Sequence, residues 1–348
     1  MFLQIDSCSE IKCLIRFFLK EIIRQGIFDS VQDSGRYGYQ HLGINPSGAM
    51  DPVAAEIANS FAGNIFDEAV IELHFPASSF SFNEDAVIGL SGADFTAKLN
   101  DVEIPINSSV AVGKNSALQF NKIKNGARCY LAVNGGFEIP EWLGSYSTNL
   151  KAKVGGFEGR CLKQNDELLF KKKTDFSSLL RKKAFYVLLQ RDDVSSIHPF
   201  PNLIRICEGP DYFHLSDSSK NLFTSSSFSI TSQSDRMGFR MSGQSLQLQI
   251  QIELVSSAVT RGTIQLFPDG QFIILMADHQ TTGGYPRIAN VISADIPKLA
   301  QMLPGVLINF QMISLEETEE LLIKQTEKLH HLKNEIATQL KFLPHAHN

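Results

Sequence analysis

Cysteine is scarce and scattered in this 348-residue sequence. The five present, Cys8, Cys13, Cys129, Cys161 and Cys207, form an odd set without a C-x-x-C pair. That argues against a disulfide framework or a zinc ribbon and for a reducing, cytoplasmic setting. Long apolar runs are missing too. In residues 1–26, Glu10, Lys12, Arg16, Lys20 and Glu21 interrupt every apolar stretch, so neither an export signal nor a membrane span is expected. Positive charge is not in excess: 32 Lys and Arg stand against 37 Asp and Glu, a net charge of -5. This leaves no electrostatic footprint for nucleic acid or an anionic membrane. The common catalytic templates are absent as well. The sequence has no G-x-S-x-G elbow, no H-E-x-x-H helix and no glycine-rich phosphate loop, and its nine histidines never gather at ligand spacing; no metal site is expected.

What remains is a chain built to fold. Hydrophobic residues make up 43% and charged ones 20%, which suits a globular protein with a sizeable core, and the length suits two domains. In residues 86–134 the runs "DAVIGL", "DFTAKL", "SALQF" and "RCYLAV" recur at hairpin spacing between turn residues. The second half repeats the pattern with "LIRICEGP", "SFSITSQ", "SLQLQIQI", "GTIQLF" and "QFIILM". In "SLQLQIQI", Leu246, Leu248, Ile250 and Ile252 alternate with glutamines, the period of a half-buried strand. The pattern predicts a mainly β plan with short helices. One helix follows Asp51 as cap and Pro52 as first residue and ends at Gly63; another is framed by Asp295 and Pro297. The charged, serine-bearing "FKKKTDFSSLLRKK" suits a connection or an exposed hairpin, and the boundary between halves is placed near it. From Ser314, which can form a capping box with Glu317, Leu315, Leu322, Leu329, Ile336 and Leu343 recur every seven residues. This predicts a helix over residues 314 to about 340 that packs along the domain surface.

Polar residues and glycines concentrate in four stretches. "SVQDSGRYGYQHLGINPSGAMD" carries Gln32, Asp33, Arg36, His41 and Asp51 among four glycines; it reads either as a site-forming loop or as an irregular loop in which Arg36 pairs with Asp33 or caps carbonyls. "NGGFEIP" and "WLGSYSTNLKAKVGGFEGR" pair glycines whose N–H groups can face an anion, supported by Ser145, Ser147, Thr148 and Arg160, or else simply turn the chain. "SQSDRMGFRMSG" sets Asp235 beside Arg236, with Arg240 four residues on. A guanidinium there can read a carboxylate or phosphate, or Asp235 and Arg236 can form a structural pair. "LMADHQTTGGYPRIANVI" joins Asp278, His279, Gln280, Thr281, Gly283, Gly284, Tyr285 and Arg287. Asp278 and His279 are adjacent and point to opposite faces of an extended chain, so they do not make a base and its orienter.

Taken in order, "VQDSGRYGYQHLGINPSGAMD", "YLAVNGG", "LGSYST", "GGFEGR", "SDRMGFRMSG", "GTIQLFPDGQFIILMADHQTTGGYPRIANVI" and "LAQMLPG" resemble the biotin-dependent carboxyltransferase family, over about residues 20–313. That family includes the urea carboxylase carboxyltransferase region, allophanate hydrolase subunit 2, KipA-type regulators and the C subunit of 5-oxoprolinase. The resemblance implies two tandem cyclophilin-like β-barrel domains, at residues 20–180 and 181–313, after an N-terminal extension at 1–19 and before a C-terminal helix and tail at 314–348. The extension has helical apolar spacing where the family begins with a strand, one account being a start codon assigned too early. The chain shows neither a biotinyl-lysine segment nor an ATP-binding module, so one component of a complex is expected. The reading implied for a chain of this length is opening of the 5-oxoproline lactam to glutamate together with the 5-oxoprolinase A and B subunits, the latter closest. ATP would be bound by the complex and shared with a partner subunit, without covalent biotin here. Carboxyl transfer to urea or a related amide and regulation of a sensor-kinase inhibitor are the other functions in the family. Under this reading Asp278 is the base or orienting group, Tyr285 a hydrogen-bond donor and Arg236 a catalytic cation. Arg36, His41, Asp51, Ser147, Arg160, Asp235, Arg240, Gln280, Thr281, Gly283, Gly284 and Arg287 would contact substrate. His279 and Tyr146 stand where the family commonly has arginine.

Overall fold

The apolar runs become strands in two successive β units. The computed structural model describes residues 18–64, 67–172, 180, 184–196, 202–250 and 252–341. In the first unit two six-stranded sheets face each other. One runs Leu168–Leu169, Phe18–Arg24, Ser79–Phe82, Ala117–Phe120, Ala97–Leu99, Val102–Glu103; the other runs Phe185–Gln190, Ser108–Val112, Ala86–Asp94, Asn125–Val133, Val70–Leu73, Ser30–Gln32. Their inner faces supply one continuous core, with Ile22, Phe80, Phe82 and Leu118 from the first sheet against Val31, Ile71, Ile88, Val110 and Leu131 from the second.

Ser108–Val112 is buried along its whole length and needs hydrogen-bond partners on both edges. Phe185–Gln190 supplies the outer one in antiparallel register. Phe185–Gln190 thus pairs into a sheet of the first unit, and the first barrel strand of the second begins at Leu203. Most of the connection expected at "FKKKTDFSSLLRKK" lies outside the described residues, as does nearly all of the extension expected at 1–19; the first strand begins at Phe18.

The second unit closes into a seven-stranded barrel, in the order Leu203–Glu208, Arg287–Val291, Thr263–Leu266, Phe272–Leu275, Gly238–Ser242, Ser227–Ile230, Leu307–Met312. A parallel pairing of the last strand with the first completes it. Phe223, Phe228, Phe272 and Phe310 fill the barrel edge to face or tilted, with the Phe228 and Phe272 centroids 4.9 Å apart, in the edge-to-face geometry that aromatic quadrupoles favour. The mainly β class is as expected. One predicted strand is not found: around "SLQLQIQI" only an isolated bridge joins Leu215 to Leu248, and Ile250 is 74% exposed. The barrel is already closed, and the segment satisfies its backbone on turns, Leu246 N–H to Gly270 and Gln249 N–H to His214.

Helix α1, Pro52–Phe61, is capped by Asp51, whose Oδ1 accepts from Ala54 N–H at 2.9 Å. Helix α2 spans Asp217–Ser225, and the short α3 spans Ile296–Ala300. Asp295 does not cap α3, as its position suggested; its carboxylate is taken by Arg205 and Lys298. Helix α4, Leu315–Lys341, opens with the expected capping box, Ser314 and Glu317 each accepting the other's N–H. Its buried residues Leu329, Leu332 and Ile336 pack on Val53, Ile57 and Phe61 of α1, so α4 straps the first unit, while Leu315 and Leu322 of the seven-residue repeat stay exposed.

Candidate functional site

The two units are joined by a buried polar network that forms the floor of the site. Glu72 sits in a strand that is otherwise apolar and is fully buried, where an unpaired carboxylate would cost several kcal/mol. Arg236, from the turn before Gly238–Ser242, crosses between the units. Its guanidinium donates to Glu72, to both oxygens of Asp278 at 3.0 and 3.2 Å, and to the Gly48 carbonyl at 2.6 Å. The second Glu72 oxygen accepts from Met50 N–H at 2.7 Å and Tyr130 O–H at 2.8 Å. Burial alone would raise the Glu72 carboxyl, but the charges of Arg236 and Arg128 outweigh it and hold the pKa at about 2. Burial likewise opposes the charge on Arg236, and Asp278 and Glu72 push its pKa up.

The same seam is closed at other points. Arg261 donates to the carbonyls of Ala49 and Ser47 at 3.2 and 2.9 Å. Gln301, just after α3, bridges Asp51 at 2.7 Å and the backbone of Ala127 and Arg128. Met50 inserts into the barrel core. Both units therefore hold the loop 45–51 in place.

Above this floor opens a cavity of ≈ 370 Å³ lined by residues of both units, among them Asn45, Trp142, Asn149, Lys151, Asp278 and Gln280. Three amides, Asn45, Asn149 and Gln280, are part of its polar lining. Asn45 donates to the Asp278 carbonyl at 2.9 Å and accepts from Asn149 at 2.6 Å, which fixes both amide orientations. A second cavity of ≈ 270 Å³ shares Lys151, Met237 and Gln280 with the first and adds Asp235, Arg240, Gln265, Phe267 and Tyr285. Gln280 and Gln265 are bonded to each other at 3.1 Å, a joint that divides the two spaces.

The residues singled out in the sequence scatter around this centre. Asp278, Gln280 and Thr281 line the first cavity, and Asp235, Arg240 and Tyr285 the second. Arg236 lies beneath, and Asp235 pairs not with it but with the N–H groups of Met237 and Gly238. Arg36 is buried and stacks on Trp142 with its Cζ 4.7 Å from the ring centroid, donating to the Ser147 carbonyl. Gly155 takes φ +67°, and a Cβ there would lie 2.7 Å from the Arg36 guanidinium, so glycine is needed for the arginine to fit. Ser147 and Ser145 donate to Asp33; the loop is held by these hydroxyls rather than by an Arg36–Asp33 bond.

Other candidates sit elsewhere. Arg287 pairs with Asp211, Arg160 with Glu158 and Asp166, His41 lies exposed on a short 3-10 turn, and Asp51 caps α1. Gly283 joins a two-stranded ribbon with Ser257, and neither Gly283 nor Gly284 takes a left-handed φ or lines either cavity. Gly283 instead admits Gln265, whose amide nitrogen would stand 2.4 Å from a Cβ there. His279 is buried and held below the ordinary histidine range by that burial, with Arg261 adding to the effect. Its Nδ1 lies 2.6 Å from the Gln280 carbonyl, an acceptor only, so Nδ1 carries the proton.

Sequence reasoning missed Glu72, Tyr130, Lys151, Asn45, Asn149 and Gln265. Glu72 alone carried a signal, a carboxylate inside the apolar run "AVIELHF". Among the described residues no group of three or more potential ligands could hold a metal ion, and no helix is long and apolar enough to cross a membrane.

Comparison with known proteins gives a consistent result. The family described as carboxyltransferase domain, subdomain A and B, matches residues 42–312. The C subunit of 5-oxoprolinase from Escherichia coli (strain K12) is 38% identical over 298 residues, 85% of this chain and 92% of that protein. The protein of the same name from Haemophilus influenzae is 37% identical over 84% of this chain and 90% of its own length. Among solved structures, the K. lactis urea amidolyase superposes with a TM-score of 0.80 at 26% identity, over 90% of this chain and 20% of that one.

Proposed function

We propose that this chain, which belongs to the carboxyltransferase domain family of subdomains A and B, is the C subunit of an ATP-dependent 5-oxoprolinase and helps open the 5-oxoproline lactam to L-glutamate. The observation that carries this reading is the 38% identity to a 5-oxoprolinase C subunit over 85% of this chain and 92% of that one. The lining of the first cavity agrees with it. A lactam presents its N–H and C=O side by side, and side-chain amides offer both a donor and an acceptor to such a pair. Asn45, Asn149 and Gln280 supply three amides around the space. The volume of ≈ 370 Å³ lies within the range of small-molecule sites, roughly 300–1,000 Å³.

The chemistry assigns Asp278 an orienting role. Both its oxygens accept from Arg236, so the carboxylate is fixed, and its own carbonyl positions Asn45. A lactam carbonyl resists attack because the ring nitrogen stabilises it; phosphorylating the oxygen makes the carbon electrophilic. A nucleotide triphosphate needs several cations, yet among the described residues the first cavity presents Lys151 as its sole cation, beside Asp278. These residues do not fit a nucleotide site, and ATP is assigned to the complex, on the A and B subunits, with the latter closest to this chain.

Carboxyl transfer from a biotinylated partner to urea or a related amide is the second reading, favoured by the fold shared with K. lactis urea amidolyase. The two are separated by reconstitution: the chain with its cognate partner subunits should release glutamate from 5-oxoproline and ATP. A complex that contains all subunits and releases none rejects the first reading. Co-purification of a biotinylated carboxylase supports the second, and capture of a kinase inhibitor would instead support a regulatory role.

A further inference from the structure

Resting on that reading, we propose that the second cavity binds a phosphoryl group, with Lys151 and Arg240 as its cations. Most arginines near the site are committed to the protein itself: Arg236 to Glu72 and Asp278, Arg287 to Asp211, Arg261 to two carbonyls. A guanidinium held in this way has fewer donors left for a ligand. Arg240 differs. Its guanidinium makes no hydrogen bond or ion pair with any described residue, and it rests over the Phe267 ring with its Cζ 5.6 Å from the centroid. Among the described residues the Lys151 ammonium has one polar contact, the Met237 sulfur at 3.4 Å, a weak acceptor.

Both uncommitted cations line one cavity, whose single carboxylate, Asp235, has an oxygen already occupied by the N–H groups of Met237 and Gly238. The cavity thus offers an unmatched positive site to an oxyanion. Phe267 and Tyr285, edge to face with centroids 5.0 Å apart, give it an apolar side. Its position also suits the chemistry. Lys151, Met237 and Gln280 border both cavities, so a phosphoryl group on the oxygen of an amide held in the first would extend past Gln280 into the second. A phosphate released there would meet the same two cations.

Isothermal titration of the full chain with inorganic phosphate at low salt tests this. Saturable one-to-one binding is expected, weakened about tenfold or more in Arg240→Gln and in Lys151→Gln, the scale of one lost charge-assisted hydrogen bond. Lys324→Gln, on the exposed face of α4, should leave it unchanged. Both target side chains are exposed, so neither substitution opens the core. Absence of saturable binding, or equal binding in all three variants, overturns the proposal. Glutamate release in the reconstituted complex separates this claim from the functional one. Phosphate binding that follows Arg240 and Lys151 without turnover keeps the phosphoryl site and rejects the hydrolase reading. Turnover without phosphate binding rejects the phosphoryl site alone.

Discussion

Replacing Arg236 by methionine should strike the joint between the two units harder than any other single change at the site. The substitution keeps much of the aliphatic volume and removes the one cation, among the described residues, that bonds to Glu72 and Asp278 together. Breaking one buried ion pair costs about 3–5 kcal/mol, because the remaining charge is left without a partner. Here two carboxylates are stranded, Glu72 fully buried and Asp278 5% exposed, and the Gly48 carbonyl loses its donor. The upper end, about 5 kcal/mol, is the expected loss, tempered if Glu72 takes up a proton. The cost falls on the contact between units, so urea unfolding should change from one transition to two. Trp142, the only tryptophan, packs on Arg36 beside the cleft and reports the first unit by fluorescence, while circular dichroism reports both. A triple variant, Arg236→Met with Glu72→Gln and Asp278→Asn, removes the stranded charges and should recover part of the loss. Wild-type unfolding in Arg236→Met, to within about 0.5 kcal/mol, would refute the network's role.

Asp278→Asn should lower turnover of the reconstituted complex by about a hundredfold, the scale of a misplaced reacting group; unchanged turnover would remove Asp278 from the mechanism. Asn149→Ala should raise KM for 5-oxoproline with a smaller effect on kcat, because it deletes an amide of the lining and frees Asn45; an unaltered KM contradicts the assignment. Gly155→Ala should cost about 1–3 kcal/mol, since it combines a left-handed φ with a Cβ 2.3 Å from the Ser147 carbonyl, and thermal unfolding measures it. His74 is pushed down to about 3 by burial and by the nearby Arg128 charge. It stays neutral in the folded chain but protonates near 6.5 when unfolded, so its contribution is complete above pH 6.5 and is lost as pH falls toward 3. Asp29, raised to about 6 by burial, acts in the opposite sense. His74→Gln should therefore flatten the fall in melting temperature between about pH 6.5 and 4.5; an equal slope in both proteins contradicts this account.

The strands and helix starts were legible because they rest on local rules. Alternation and apolar runs marked Ala86–Asp94 and Thr263–Leu266, and Asp51, Pro52 and the Ser314–Glu317 pair marked helix ends. "SLQLQIQI" obeyed the same local rule and failed, because strand formation needs a neighbour's free edge and the closed barrel offers none. The site was legible only in part for a related reason. Residue type picked out Arg36, Arg160, Arg236, Arg240 and Arg287 but not Arg128 or Arg261, and committed and free arginines differ only in what the fold brings near them. Arg287 and Arg160 met carboxylates of their own chain, while Arg240 met none among the described residues. Lys151, Asn45 and Asn149 looked ordinary in sequence, and the meeting of loops from two units gave them a shared cavity.

Glutamate release by a reconstituted complex tests the functional assignment most directly. Purified chain, combined with its cognate A and B subunits, ATP and 5-oxoproline, should release glutamate at a rate that falls to background when this chain is left out and returns when it is restored. Equal release with and without the chain, or none from a complete complex, would contradict it.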